Sequence, residues 1–289
     1  MLPLFIFHSG CFDGFTSAWV FRQLRGEAEW FPAHYGGPAP SVVDRDVWVV
    51  DFSYPLDVML RLVKEARTLR VYDHHKTAQE ALSGFKRQAL LEVRKEVEVY
   101  FDMERSGCGL LWDWQAPIGS VRPWLVDYVE DRDLWRHNLV HSREVTAWVS
   151  AQEMTFDVWD AVQLCGVQSA IESGAAVLAY IKQYGSKARE HSCLEVVGGY
   201  LVPTMNLPYM NCSEHVGDLL REHPGAAFAA SYFRRADGKW QFSLRSRPDF
   251  DVSEVAKKFG GGGHAGAAGF ELDMLPWDED LMAERESED

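Results

Sequence analysis

Leu69-Arg70-Val71-Tyr72-Asp73-His74-His75 is a short apolar segment that stops at a carboxylate and two imidazoles. The same design occurs twice upstream. Val47-Trp48-Val49-Val50 ends at Asp51, and Leu4-Phe5-Ile6-Phe7 ends at His8, with Asp13-Gly14 just beyond. Residues 15–24 and 56–66 read as helices behind the first and second of these runs, and 30–35 and 97–101 as further strands. Strands alternating with helices predict a parallel, doubly wound sheet, whose ligands gather at the strand carboxyl ends. His8, Asp51 and Asp73 all stand at that edge.

Outward from this region the texture changes. Residues 108–115, 121–129 and 156–164 are predicted helices, and 171–190 places Ile171, Ala175, Leu178 and Ile181 at helical spacing. Then come strands at 194–197, 200–205, 227–233 and 240–244, with helix starts near Ser213 and Val252. The expected architecture is therefore α/β: a doubly wound, mainly parallel N-terminal domain (1–170), a helical linker (171–192), a smaller C-terminal α/β domain (193–275) and an acidic tail (276–289).

Each polar cluster carries a plain structural reading beside a chemical one. His8 and Asp13 suit a divalent metal, with Cys11 on the same side of the loop; Asp13 could equally cap a helix. Asp51 follows four apolar residues, where an unpaired carboxylate is costly, so a metal or a helix N-terminus must satisfy it. Capping by Ser53 ahead of Pro55 is the structural alternative. In Asp73-His74-His75 one imidazole can ligate while its neighbour donates to a phosphate oxygen, and Asp73 can ligate or orient a His. Asp131 and Asp133 in Glu130-Asp131-Arg132-Asp133 remain alternatives, one for a metal and the other for Arg132 or a cap. Gly260-Gly261-Gly262-Gly263-His264 lets backbone N–H groups approach an anion. Upstream, Arg245 can grip a phosphate bidentately, with Ser243 on the same strand face. The remaining His (34, 137, 141, 191, 215 and 223) read as surface or core residues.

In this combination the chain resembles the DHH phosphoesterase family, and within it the branch whose DHH-associated domain carries a GGGH loop, which includes RecJ-like exonucleases and nanoRNase-type phosphodiesterases. The resemblance spans about residues 2–270. It implies a two-domain clamp and a manganese site of one or two ions. His8, Cys11, Asp13, Asp51, His74 and Asp131 would be the metal set, with Asp133 the alternative to Asp131. Asp73 and His75 would be catalytic, His75 facing the phosphate. Ser243, Arg245, Gly261, Gly262, Gly263 and His264 would hold the far end of the substrate. One departure stands out: Cys11 occupies the place of an Asp that usually precedes Asp13 in this motif, and a thiolate favours zinc or iron over manganese.

Composition narrows the partners. A formal charge of −14 on 289 residues disfavours sequence-blind binding to long nucleic acid. Close to half of that excess lies in residues 276–289, which hold seven acidic residues and one Arg. A short oligonucleotide or dinucleotide, linear or cyclic, is the expected substrate. Pyrophosphate or polyphosphate hydrolysis is the alternative, and a nucleotide-binding sensor with a metal site weakened at Cys11 is a third. There is no Walker motif, nucleophile elbow or zinc-finger spacing. Five Cys without a CxxC pair favour a reducing cytoplasm. The first apolar run is too short for a signal segment, and no run reaches the roughly 20 apolar residues of a membrane span. No large protein partner is expected, and eleven Trp leave room for an apolar patch that supports a homodimer.

Overall fold

The computed structural model describes residues 2–208 and 212–277 and divides into two compact units, residues 1–178 and 179–289. In the first, strands β1 (Leu4–His8), β2 (Glu29–Ala33), β3 (Asp46–Val50), β4 (Thr68–Asp73) and β5 (Glu98–Phe101) form one sheet in the order β2-β1-β3-β4-β5. Every pairing is parallel. The alternation of a strand sorts its side chains to two faces. Phe5, Phe7, Trp48, Val50 and Tyr72 pack with helices on one face, and Leu4, Ile6, Val47, Val49, Leu69 and Val71 on the other. Burial on both faces is why these runs carry apolar residues almost without interruption. Pro32 lies on β2, an edge strand, where a missing N–H costs no ladder bond on the open side. The doubly wound parallel fold expected from the strand ends is thus the fold observed.

Helix α1 (Phe12–Arg25) follows β1 and stops at Gly26, whose φ of 87° a side chain would resist. Helix α2 (Leu56–Glu65) covers the opposite face, burying Met59, Leu62 and Val63. After β4 the chain forms α3 (Lys76–Ala81), α4 (Phe85–Gln88) and a π-helical turn at Ala89–Val93, none of which the sequence pattern announced. Helices α5 (Gly107–Gln115), α6 (Trp124–Asp133) and α7 (Ser142–Ser150) then return to the first face. The helix predicted at 121–129 starts at Trp124 and runs on to Asp133, with consequences for the site.

Helix α8 (Phe156–Arg189) unites the two helices expected at 156–164 and 171–190, with a break in regular geometry at Gly166 (φ 78°, ψ 157°). The division between the units falls within it. By length and composition alone α8 could cross a membrane (mean hydropathy 1.3 over 18 residues), although Gln168, Ser169, Glu172 and Ser173 interrupt its apolar run. Its first half, however, seats Trp159, Val162 and Ala170 in the core of the first unit.

The second unit holds a six-stranded sheet in the order β10-β11-β9-β8-β7-β6, built from β6 (Cys193–Val197), β7 (Tyr200–Asn206), β8 (Phe228–Arg234), β9 (Trp240–Ser246), β10 (Gly262–His264) and β11 (Ala267–Leu272). Only β7 and β8 pair in parallel; the other pairings among the described residues are antiparallel. Helix α9 (Cys212–Glu222) packs Val216 and Leu219 beside Ala229, while α10 (Ser253–Lys258) packs Val255 and Ala256 with Phe228 and Ala230. Neighbouring residues of β8 thus serve opposite faces. Of the acidic tail, residues 278–289 lie outside the described residues.

Candidate metal centre

In an open parallel sheet ordered 2-1-3-4-5, the crevice at the carboxyl ends of the first and third strands is where the connections diverge, and ligands bind there. His8 ends β1, Asp51 follows β3, and Asp73 ends β4. Asp51 has a φ of 55°, a conformation unfavourable for a residue with a side chain, and its N–H donates to Tyr72 O at 2.9 Å. That hydrogen bond ties the turn after β3 to β4.

His74 is the hub. Its Nε2 lies 3.0 Å from Asp51 Oδ1, 3.5 Å from Asp133 Oδ2 and 3.6 Å from Asp13 Oδ2. Three carboxylates from separate elements thus converge on one imidazole in a buried pocket. Burial alone would lower the His74 pKa, but Asp133 and Asp51 outweigh it and raise it. The carboxyls respond in kind: burial raises Asp51, with Asp13 adding to the push, and burial raises Asp133 despite the nearby His74. His8 goes the other way, to about 4, through burial and the neighbouring His75.

Asp51 Oδ2 and Asp133 Oδ2 are buried yet accept no hydrogen bond from any described residue. Leaving buried carboxylate oxygens so is costly unless a cation meets them. Asp13, Asp51 and His74 offer ligand atoms within 4.8 Å of one another, and so do His8, Asp51 and His75. Two triads sharing Asp51, with hard oxygens and imidazoles as donors, fit divalent cations. The residues present therefore suit the group that the sequence implied.

Asp73 acts differently. Its Oδ1 accepts from His74 N at 2.8 Å, His75 N at 3.2 Å and lies 2.7 Å from His75 Nδ1, while Oδ2 accepts from Ser53 Oγ at 2.6 Å. Burial pushes this carboxyl up, but His75, His74 and Ser53 together hold it well below the usual range. With both oxygens so occupied, Asp73 orients His75 through Nδ1 and leaves Nε2 as the ring nitrogen turned away from that bond. Ser53 serves this carboxylate; no side-chain cap is made at the start of α2.

The four residues Glu130-Asp131-Arg132-Asp133 divide between jobs. Glu130 accepts from Ser106 N at 3.1 Å and pairs with Arg105 and Arg122, fixing the start of α5. Asp131 accepts from Asn138 N at 2.9 Å and Leu139 N at 3.3 Å, so it caps the loop after α6. Arg132 lies over the Phe12 ring, 5.6 Å from its centroid. Asp133 alone faces His74. Of the two alternatives for the metal set, Asp133 is the one placed beside His74, and Asp131 is engaged by the loop. The spacing Leu125–Val129–Asp133 carries the signal, since residues four apart share a helix face and the first two are buried.

Asp13 is held by the start of α5, whose Gly107 N and Cys108 N donate to its two oxygens at 2.6 and 2.9 Å. Ser106 caps this helix through Gly109 N. A Cβ at Gly107 would fall 2.6 Å from Asp51 Cβ and 3.0 Å from Asp13 Oδ2. Only glycine admits that approach, and the Ser-Gly start of the helix was its signal in the sequence. Cys11 is the N-cap residue of α1 and lies outside both ligand triads. Burial, together with Asp51, Asp133 and Asp13, drives its thiol pKa well above the ordinary value.

In the second unit, Ser243 and Arg245 share a face of β9, as their spacing requires. Arg245 donates to Leu244 O at 2.7 Å and to Ser213 Oγ. The glycine run is not an open cradle: Gly262, Gly263 and His264 form β10 and pair with Gly269, Ala268 and Ala267. The Gly261 N–H is donated to Ala256 O at 2.9 Å. A Cβ at Gly261 would lie 2.1 Å from Gly269 O, so the glycine there serves close hairpin packing. The small residues at 265–269 had pointed to such packing; the pairing itself was not foreseen.

Residues 200–283 match the DHHA1 domain family. Over 294 aligned residues the chain is 28% identical to an uncharacterized protein of Acanthamoeba polyphaga mimivirus, covering 91% of this chain and 66% of that protein. The chain thus spans just under two thirds of the length of that relative. Among solved structures, an exopolyphosphatase-related protein from Bacteroides fragilis superposes with a TM-score of 0.52 at 12% identity, covering 98% of this chain and 90% of its own. A pGpG-specific phosphodiesterase from Vibrio cholerae gives 0.50 at 10% identity, with 99% and 97% covered. At such identities these two share the fold. Residues 200–283 are thus a DHHA1 domain, and the chain as a whole shares the fold of these two structures.

Proposed function

We propose that the protein is a metal-dependent phosphodiesterase that cleaves short oligonucleotides or dinucleotides, linear or cyclic, to mononucleotides. The observation that carries this reading is the pair of ligand triads sharing Asp51 at the strand carboxyl ends. His8, Asp13, Asp51, His74 and Asp133 would hold one or two divalent cations, manganese being the first to try. Such cations lower the pKa of a bound water and offset charge developing on phosphoryl oxygens. His75, oriented by Asp73, would donate to the phosphoryl group or the leaving oxygen. Within the DHHA1 domain, Ser243, Arg245, Gly262, Gly263 and His264 are the candidates for binding substrate. The five free cysteines support work in a reducing cytoplasm.

The test is hydrolysis of a panel (pGpG, a cyclic dinucleotide, short RNA, short DNA, pyrophosphate and polyphosphate) with manganese, cobalt, zinc or no metal, beside Asp51→Asn. Mononucleotide release that requires metal is expected, and Asp51→Asn should lower it by roughly a thousandfold or more, since both triads lose a shared oxygen. Full manganese-dependent turnover in Asp51→Asn would sink the reading. Turnover of pyrophosphate or polyphosphate alone would replace it with the alternative, and nucleotide binding without turnover would favour a sensor.

A further inference from the structure

Tyr35 stands just past β2, in a turn closed by Gly37 N–H donating to His34 O at 3.0 Å and by Gly36 at a φ of 75°. Its ring borders the triad of His8, Asp51 and His75. The centroid is 5.2 Å from that of His8 and 6.2 Å from that of His75, both edge-on. Beneath it, at 4.9 Å, lies Phe52, a fully buried ring attached to the residue after Asp51. Two supports thus fix the ring, one from each neighbouring strand end. Tyr35 nevertheless remains 54% exposed, and its hydroxyl makes no hydrogen bond to any described residue.

A ring that served packing alone would need no hydroxyl, and a phenylalanine would fill the place. The phenol is a neutral O–H donor at physiological pH. It sits beside a centre dominated by carboxylate acceptors, where a phosphate needs donors that add no competing negative charge. We propose that Tyr35 is a substrate-contacting residue of this centre, donating its phenolic O–H to a phosphoryl oxygen of a phosphate ester or of inorganic phosphate. Donors held in advance at the place where phosphoryl charge grows accelerate its transfer. The inference rests on the phosphoesterase reading only for its turnover arm; phosphate recognition can be measured without it.

The experiment compares wild type with Tyr35→Phe, which keeps the ring and its contacts with Phe52 and His8 and removes one oxygen. Inorganic phosphate is titrated calorimetrically into each protein saturated with manganese, and manganese affinity and melting temperature are recorded alongside. Phosphate affinity should fall roughly tenfold, and turnover of any substrate found should fall roughly ten- to hundredfold, the range of a hydrogen bond to a charged group. Manganese affinity and melting temperature should stay as they are. Unchanged phosphate affinity in Tyr35→Phe overturns the proposal whatever the turnover, and so does a wild type that binds no phosphate with manganese present. A wild type that binds phosphate yet cleaves nothing in the panel counts against the phosphodiesterase reading and leaves the phosphate comparison as the measure of Tyr35.

Discussion

Asp131 and Asp133 are two residues apart on one helix, so their side chains leave the axis about 200° apart. Only one of them can face His74. The core decides which, because α6 is oriented by Leu125, Val126 and Val129, and Asp133 continues the Leu125–Val129 row. The two carboxylates therefore predict different failures. Asp133→Asn should weaken metal binding and cut turnover by roughly a hundredfold or more, with little effect on melting of the metal-free protein. Asp131→Asn keeps one acceptor for the loop N–H groups and should cost about 1–2 kcal/mol of stability, with metal stoichiometry retained. Metal titration and thermal melting of the two variants separate these outcomes. Normal metal binding in Asp133→Asn, with loss in Asp131→Asn, would reverse the assignment.

Among the elements, α5 bears on the site through its backbone. Two N–H groups of its first turn hold Asp13, and Glu130, gripped by Arg105 and Arg122, holds Ser106 in place at the start of the helix. A helix N-terminus favours a carboxylate both by its unpaired N–H groups and by its dipole. Gly107→Ala should drive Asp13 and Asp51 apart. Overpacking at such a contact costs about 1–3 kcal/mol, and metal-dependent turnover should drop by more than stability alone explains. A variant that melts and turns over as wild type does would show that the contact yields without cost. Strands β1, β3 and β4 were legible because a buried parallel strand is apolar almost throughout, Arg70 on β4 being an exception, and turns polar chiefly where it leaves the sheet. The hairpin of β10 and β11 was not, because glycine carries no side-chain periodicity. The short helices and the π-turn between Lys76 and Val93 were hidden for another reason: none is long enough to repeat a pattern.

For the molecule as a whole, the centre concentrates negative charge in the first unit, so a bound cation should stabilise that unit by mass action. At a manganese concentration one hundred times its dissociation constant the gain is about 2.7 kcal/mol. For a unit of this size that corresponds to a rise in melting temperature of about 5–10 °C. Calorimetry with manganese and with chelator should show the rise in wild type and little or none in Asp51→Asn. An equal rise in both would place the stabilising cation away from this centre.

Apolar runs ending in His8, Asp51 and Asp73 were sufficient to specify a parallel sheet and the edge at which its chemistry gathers. This follows because strand burial and strand ends are local properties of the chain, written in hydrophobicity and in the points where it stops. The roles of individual side chains were decided only when elements packed. The phase of α6 selected Asp133, the approach of α5 turned Gly107 and Cys108 into donors for Asp13, and the turn after β2 set Tyr35 against His8 and Phe52. Each of these depends on contacts between residues far apart in the chain: a local pattern can show which face of α6 is apolar, but not which side chains that face will meet.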